Sequence, residues 1–246
     1  MRLWSVGQAV QLRSWLELLS WRAEHYGKEN VWPEYSELSC FACHHSIVPA
    51  NESWRQAHGF PGRRPGDPAW NSSRYLVFSL LAKQIDPGAA QGLEAHMRPL
   101  AGQMNTLTPS RTVVESEATA AVPIVQRIAE RLDTMRYDQE LVLRMLREIS
   151  SNAEGISMAD ERVAAQATMA FQSLYIAYCK EAKPRNAVIV QSAINGLFQQ
   201  LESPSLSTLI DSQPLCGESE TCCELTATKR QGGPFFPSLS AIPTVR

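Results

Sequence analysis

Cys40, Cys43 and His44 are the residues whose types and spacing could do chemistry, within the run Cys40-Phe41-Ala42-Cys43-His44. Two thiols three positions apart can each form a thioether with one of the two vinyl groups on a single porphyrin edge. A histidine directly after the second thiol is then placed under the ring, where its imidazole can reach the iron. The motif is therefore expected to hold haem c, with Cys40 and Cys43 as the attachment points and His44 as the proximal iron ligand. Two other chemistries compete for the same pair. A Cys-x-x-Cys can be half of a zinc site, whose missing ligands would come from His44 or His45 with His58, or from Cys216, Cys222 and Cys223. It can also be a redox dithiol, although no run of β-branched residues precedes it as a thioredoxin-like strand would.

The sixth iron position has several candidates. His25 lies on the last turn of an expected first helix and could fold over the ring; a histidine there is equally favoured by the helix dipole. His58 sits in a Gly/Pro-rich loop with the reach to cap the iron, or is simply solvated. His96 lies in a later helix, where Met97 or Met104 could supply a thioether or fill the core. His45 points about 100° away from His44 if the segment is helical, so it would serve a neighbouring haem or stand at the surface. Bis-histidine ligation gives a low potential, methionine raises it, and an open position allows ligand binding. Trp32, Tyr35, Phe41, Trp54 and Trp70 surround the motif in sequence and read as a water-excluding wall or as ordinary packing.

Around these residues the chain reads as helical. At 246 residues, 44% hydrophobic and 20% charged, it has the composition of a globular protein. A net charge of −2 with scattered Lys and Arg gives no reason to expect nucleic acid, and no apolar run is long enough to span a bilayer. Val6, Ala9, Val10, Leu12, Trp15, Leu16, Leu19 and Ala23 predict an amphipathic helix over 5–26 with Gly27 as its C-cap. Residues 30–39 read as a linker broken by Pro33, and 49–71 as an extended loop. Asn71 or Ser72 is expected to cap the next helix. Further helices are predicted over 87–104, 115–135 with Pro123 as a kink or break, 138–152, 158–180 and 185–201. No alternating strand pattern appears, so the fold class is all-α, a bundle-like helical domain with a loop-rich haem-binding segment. The expected division is 1–82 as the haem-binding region, 83–202 as a helical domain and 203–246 as an irregular or disordered tail.

Haem is joined to such a motif outside the cytosol, so a secretory signal should precede it. Residues 1–20 do not read as one, being interrupted by Gln8, Gln11, Arg13 and Glu17. The expectation is a piece of a longer exported protein, with a cytosolic protein carrying an unused motif as the alternative. Cys179, Cys216, Cys222 and Cys223 suit an oxidising compartment, with their pairing open. No phosphate-binding loop, Gly-x-Ser-x-Gly or His-Glu-x-x-His occurs.

The segments Trp32-Pro33-Glu34-Tyr35-Ser36, Leu38-Ser39-Cys40-Phe41-Ala42-Cys43-His44-His45, Ser53-Trp54-Arg55-Gln56 and Pro61-Gly62-Arg63 resemble the last haem-binding region of bacterial multihaem c-type cytochromes. The resemblance covers roughly 5–82, including the preceding Gly7-Gln8-Ala9-Val10-Gln11-Leu12-Arg13 helix. It implies a periplasmic or otherwise extracytoplasmic electron-transfer protein, with earlier haems upstream and redox proteins as partners. This chain departs from the pattern in carrying one haem motif. An electron carrier is thus the leading expectation. A haem-dependent oxidoreductase with an open iron site is one alternative, and a zinc- or disulfide-stabilised helical interaction module without haem is another.

Overall fold

A computed structural model describes residues 1–25, 31–39, 60 and 62–202. Eight α-helices and one 3-10 turn make up its regular structure, and the described residues contain no strand. The fold is all-α, as the helical periodicity predicts. The helices are α1 (Arg2–His25), α2 (Ser73–Ile85), α3 (Pro87–Met104), α4 (Arg111–Thr134), α5 (Gln139–Ser151), α6 (Ala153–Ala159), α7 (Glu161–Ala182) and α8 (Ala187–Glu202). The 3-10 turn is Tyr35–Glu37.

The long helices α1 and α4 lie antiparallel, and their polar ties run in opposite order along the two. Arg2 bonds Asp133 at 2.7 Å, Arg13 bonds Gln126 at 2.5 Å, and Ser20 bonds Thr119 at 2.7 Å. At the far end Arg111 Nε donates to the Ala23 carbonyl at 2.9 Å, satisfying a carbonyl that α1 itself leaves without a helical partner. Between these ties α1 buries Ala9, Leu12, Trp15, Leu16, Leu19 and Ala23. That is the apolar stripe the sequence predicts.

Helix α2 is the hub. It contacts α1, α3, α4, α5 and α7. Its buried residues Tyr75, Val77, Phe78, Leu80, Leu81 and Ile85 cover more than one face, as expected of a helix packed on several sides. Asp86 ends α2 and starts α3: its carboxylate accepts from Ala89 N at 3.0 Å and from Arg131 at 2.9 Å. These bonds, the backbone one first, hold the Asp86 carboxyl below its usual range. Pro87 at the first turn of α3 has no N–H to lose there. Beyond α4, α5 presents Leu141, Val142, Met145, Leu146 and Ile149 as one apolar face, and α7 packs against it.

The boundaries differ from expectation where a local interaction overrides the periodicity. The helix predicted over 158–180 starts at Glu161 instead, because Asp160 takes an extended backbone and its carboxylate accepts from Arg162 N at 2.5 Å; the short helix α6 before it was not predicted. Helix α4 begins at Arg111, four residues earlier than predicted, and runs unbroken through Pro123. Ile124 and Val125 beside that proline are buried, so packing holds the turn that lacks one backbone bond. The division at residue 82 falls inside α2, and one buried cluster runs from Ala9 to Ile194. Gly27 and the 203–246 tail lie outside the described residues.

Candidate cofactor site

Cys40, Cys43, His44, His45 and His58 lie outside the described residues, as do Phe41 and Trp54. The two places where the chain leaves and re-enters that segment, Ser39 and Phe60, are described, and both rest on Trp70. Ser39 N donates to the Ala69 carbonyl at 2.7 Å, and Asn71 N donates to the Glu37 carbonyl at 2.8 Å. These two bonds make an isolated antiparallel bridge between Leu38 and Trp70. On the other side the Phe60 ring packs against Trp70 with centroids 6.1 Å apart.

Trp70 is fully buried at the centre of an aromatic stack. Trp15 from α1 lies against it at 5.0 Å with the planes 29° apart. Phe60 stacks in turn on Tyr75 of α2 at 5.8 Å. Arg74 sits over the Trp15 ring at 5.9 Å, within cation–π range. Burial pushes the Tyr75 hydroxyl well above its usual range, with the charge of Glu94 adding to it.

Beneath the stack lies a buried polar network. The Glu37 side chain is 2% exposed and accepts from Trp15 Nε1 at 3.2 Å and from Arg22. Arg22 also reaches Glu34 at 2.9 Å. Burial nevertheless pushes the Glu37 carboxyl above its ordinary value of 4.5, outweighing the Arg22 charge and the bonds to Arg22 and Trp15. Trp70 N donates to Asn105 Oδ1 at 3.0 Å, and Asn71 Oδ1 accepts from the Ser73 hydroxyl at 2.8 Å. Asn71, not Ser72, thus supplies the side-chain oxygen at the start of α2. Two buried polar atoms remain without a partner here: Trp70 Nε1 and Ser72 Oγ.

The other expected residues are dispersed. His25 is exposed, stacks on Trp21 at 4.9 Å, and places Nδ1 3.0 Å from the Trp21 carbonyl. His96 places Nδ1 2.8 Å from Glu117 Oε2, tying α3 to α4. Met97 and Met104 are fully buried in the core. Trp32 donates to the Pro109 carbonyl at 3.0 Å, while Tyr35 is 75% exposed. Of the five aromatic residues read as a wall or as ordinary packing, Trp70 is buried and joins an aromatic stack. Its partners Trp15, Phe60 and Tyr75 are nearby residues that sequence reading assigned to helix faces or loop. Trp15 and Tyr75 carry the signal, being large aromatics on the apolar faces of the helices before and after the motif.

Among the described residues no three His, Cys, Asp or Glu side chains gather as a metal site. An open groove of about 310 Å³ lies between α1 and α4, lined by Glu17, Ser20, Trp21, Glu24, Thr119 and Val122. Its two hydroxyls, Ser20 and Thr119, bond each other, and Glu17 pairs with Arg13. No helix among the described residues is long and apolar enough to cross a membrane. No protein-family model matches the chain, and no curated protein or solved structure matches it either.

Proposed function

We propose that the chain carries one covalent haem c and passes single electrons, as a c-type cytochrome or part of a multihaem one working outside the cytosol. The observation that carries this reading is the spacing Cys40-x-x-Cys43-His44. Cys40 and Cys43 would add their S–H bonds across the two vinyl groups, and His44 would bind the iron. The haem supplies a one-electron change at its iron, chemistry that no amino-acid side chain offers at low cost.

Two features of the described residues support this reading. A haem needs a flat apolar surface and hydrogen-bond donors for its propionate carboxylates. Trp15, Phe60, Trp70 and Tyr75 supply the first beside both ends of the motif segment. Trp70 Nε1 and Ser72 Oγ, buried without partners, supply donors for the second. Their role is to exclude water from the cofactor and to fix its surroundings, which sets its potential.

The test is expression of the full chain in a host that exports it and attaches haem. The expected result is a red protein that keeps peroxidase-active haem on a denaturing gel. A colourless protein binding one zinc per chain would overturn the reading.

A further inference from the structure

Two buried donors at the start of α2 have no acceptor. Trp70 and Ser72 are each 0% exposed, and neither Trp70 Nε1 nor Ser72 Oγ has a hydrogen-bond partner. An unmet buried donor is costly, and native interiors seldom leave one without a reason. The polar groups around them are already paired: Trp70 N with Asn105, Asn71 N with the Glu37 carbonyl, and Trp15 Nε1 with Glu37. Glu37 is the carboxylate described nearest in the network. It accepts from Arg22 and Trp15, and neither Trp70 Nε1 nor Ser72 Oγ is bonded to it.

Three features say what kind of acceptor is missing. Ser72 is the N-cap residue of α2, a 13-residue helix, yet its hydroxyl caps nothing. The positive end of the helix dipole favours an anion at that place. Arg74, the second residue of α2, adds a positive charge over Trp15. The Leu38–Trp70 bridge and the ring of Phe60 bring the described residues on either side of the 40–59 stretch, which carries Cys40, Cys43 and His44, to Trp70.

We propose that Trp70 Nε1–H and the Ser72 hydroxyl donate hydrogen bonds to a propionate carboxylate of the covalently held haem, making the start of α2 the seat of its anionic edge. This rests on the haem reading above. The propionates lie away from the thioether edge of the ring, so the cysteines and α2 would grip the group from different sides. Trp70 and Ser72 are positioning residues in this scheme, acting on the iron through the charge they hold.

The full chain, matured with haem attached, tests it through Trp70→Phe and Ser72→Ala. Phenylalanine keeps a ring against Trp15 and removes only the N–H. At a fixed applied potential each variant is expected to hold its haem with the reduced-to-oxidised ratio about threefold lower, because an unshielded carboxylate favours ferric iron. The propionate bending band in the resonance Raman spectrum is expected to move as well. A structural role alone would leave that band in place. If both variants carry haem with parental ratio and parental band, the proposal is overturned while the cytochrome reading stands. If the parent protein carries no covalent haem, both fall together. Should Trp70→Phe not fold, Ser72→Ala decides by the same two measurements.

Discussion

The face where α1 meets the start of α2 and the end built from α5, α7 and α8 bury different things. Around Trp70 the interior holds Glu37, Ser39, Asn71, Ser72 and Ser73 beside its aromatic rings. At the other end the interior is mostly aliphatic and alanine-rich, with Phe171 and Tyr175 as its buried aromatics and the Tyr175 hydroxyl and Asp160 Oδ2 as its buried polar atoms without a partner. Its buried polar residues there are Asp160, which caps α7, and Thr168, whose hydroxyl bonds the Ala164 carbonyl one turn back at 2.9 Å. A helix-packing core needs no Glu, Asn or unpaired indole N–H. Burying them costs free energy unless each finds a partner. The polar interior is therefore where a task beyond folding is to be sought, and it is the region adjoining the cysteine motif.

The contrast is broken most severely at the cysteines. Cys40→Ala combined with Cys43→Ala is expected to abolish covalent haem altogether, read as loss of in-gel haem stain, with the α5–α8 end still helical by circular dichroism. Next in size is a cavity at that other end. Leu174→Ala, at a fully buried site in α7, is expected to cost about 3 kcal/mol in urea unfolding. It should leave the haem spectrum as it was. A change in that spectrum would mean the two regions are not separable.

Glu37→Ala should cost about 2 kcal/mol, since it strips Trp15 Nε1 of its acceptor and Arg22 of a buried partner. Its pH signature is more telling. The folded carboxyl titrates above its ordinary 4.5, so between 4.5 and the raised value the native state binds more protons than the unfolded one. Stability from this group is thus fully present below 4.5 and declines as pH rises through the folded value. Glu37→Gln should remove that component from the pH profile of urea unfolding. The smallest effect belongs to His96→Gln, where a half-exposed pair with Glu117 across α3 and α4 is lost for about 0.5 kcal/mol. The optical spectrum of the haem-loaded protein should not change; conversion to high spin would put His96 on the iron.

The same contrast explains what could be read from the sequence. Periodic apolar residues located α1, α3, α5 and α8 to within a few residues, because a stripe of Leu, Ile and Val records which face is buried. Side-chain caps were harder. Asp160 divides 153–182 into two helices by one carboxylate bond, a single-residue event inside an unbroken apolar pattern. The aromatic stack was the least legible part. Trp15 and Tyr75 are ordinary apolar positions within their own helices, and their meeting with Phe60 and Trp70 depends on a bridge between residues far apart in sequence. The motif announced a chemistry through residue types alone; the surroundings that would tune it exist only once the chain has folded.

That bridge also has a kinetic consequence. The amide protons of Ser39 and Asn71 are held by carbonyls across the clasp, well outside any helix interior. In deuterated water they should exchange slowly although they lie outside any helix interior. Their lifetimes would act as a clock for how often the doorway to the cysteine segment unlatches.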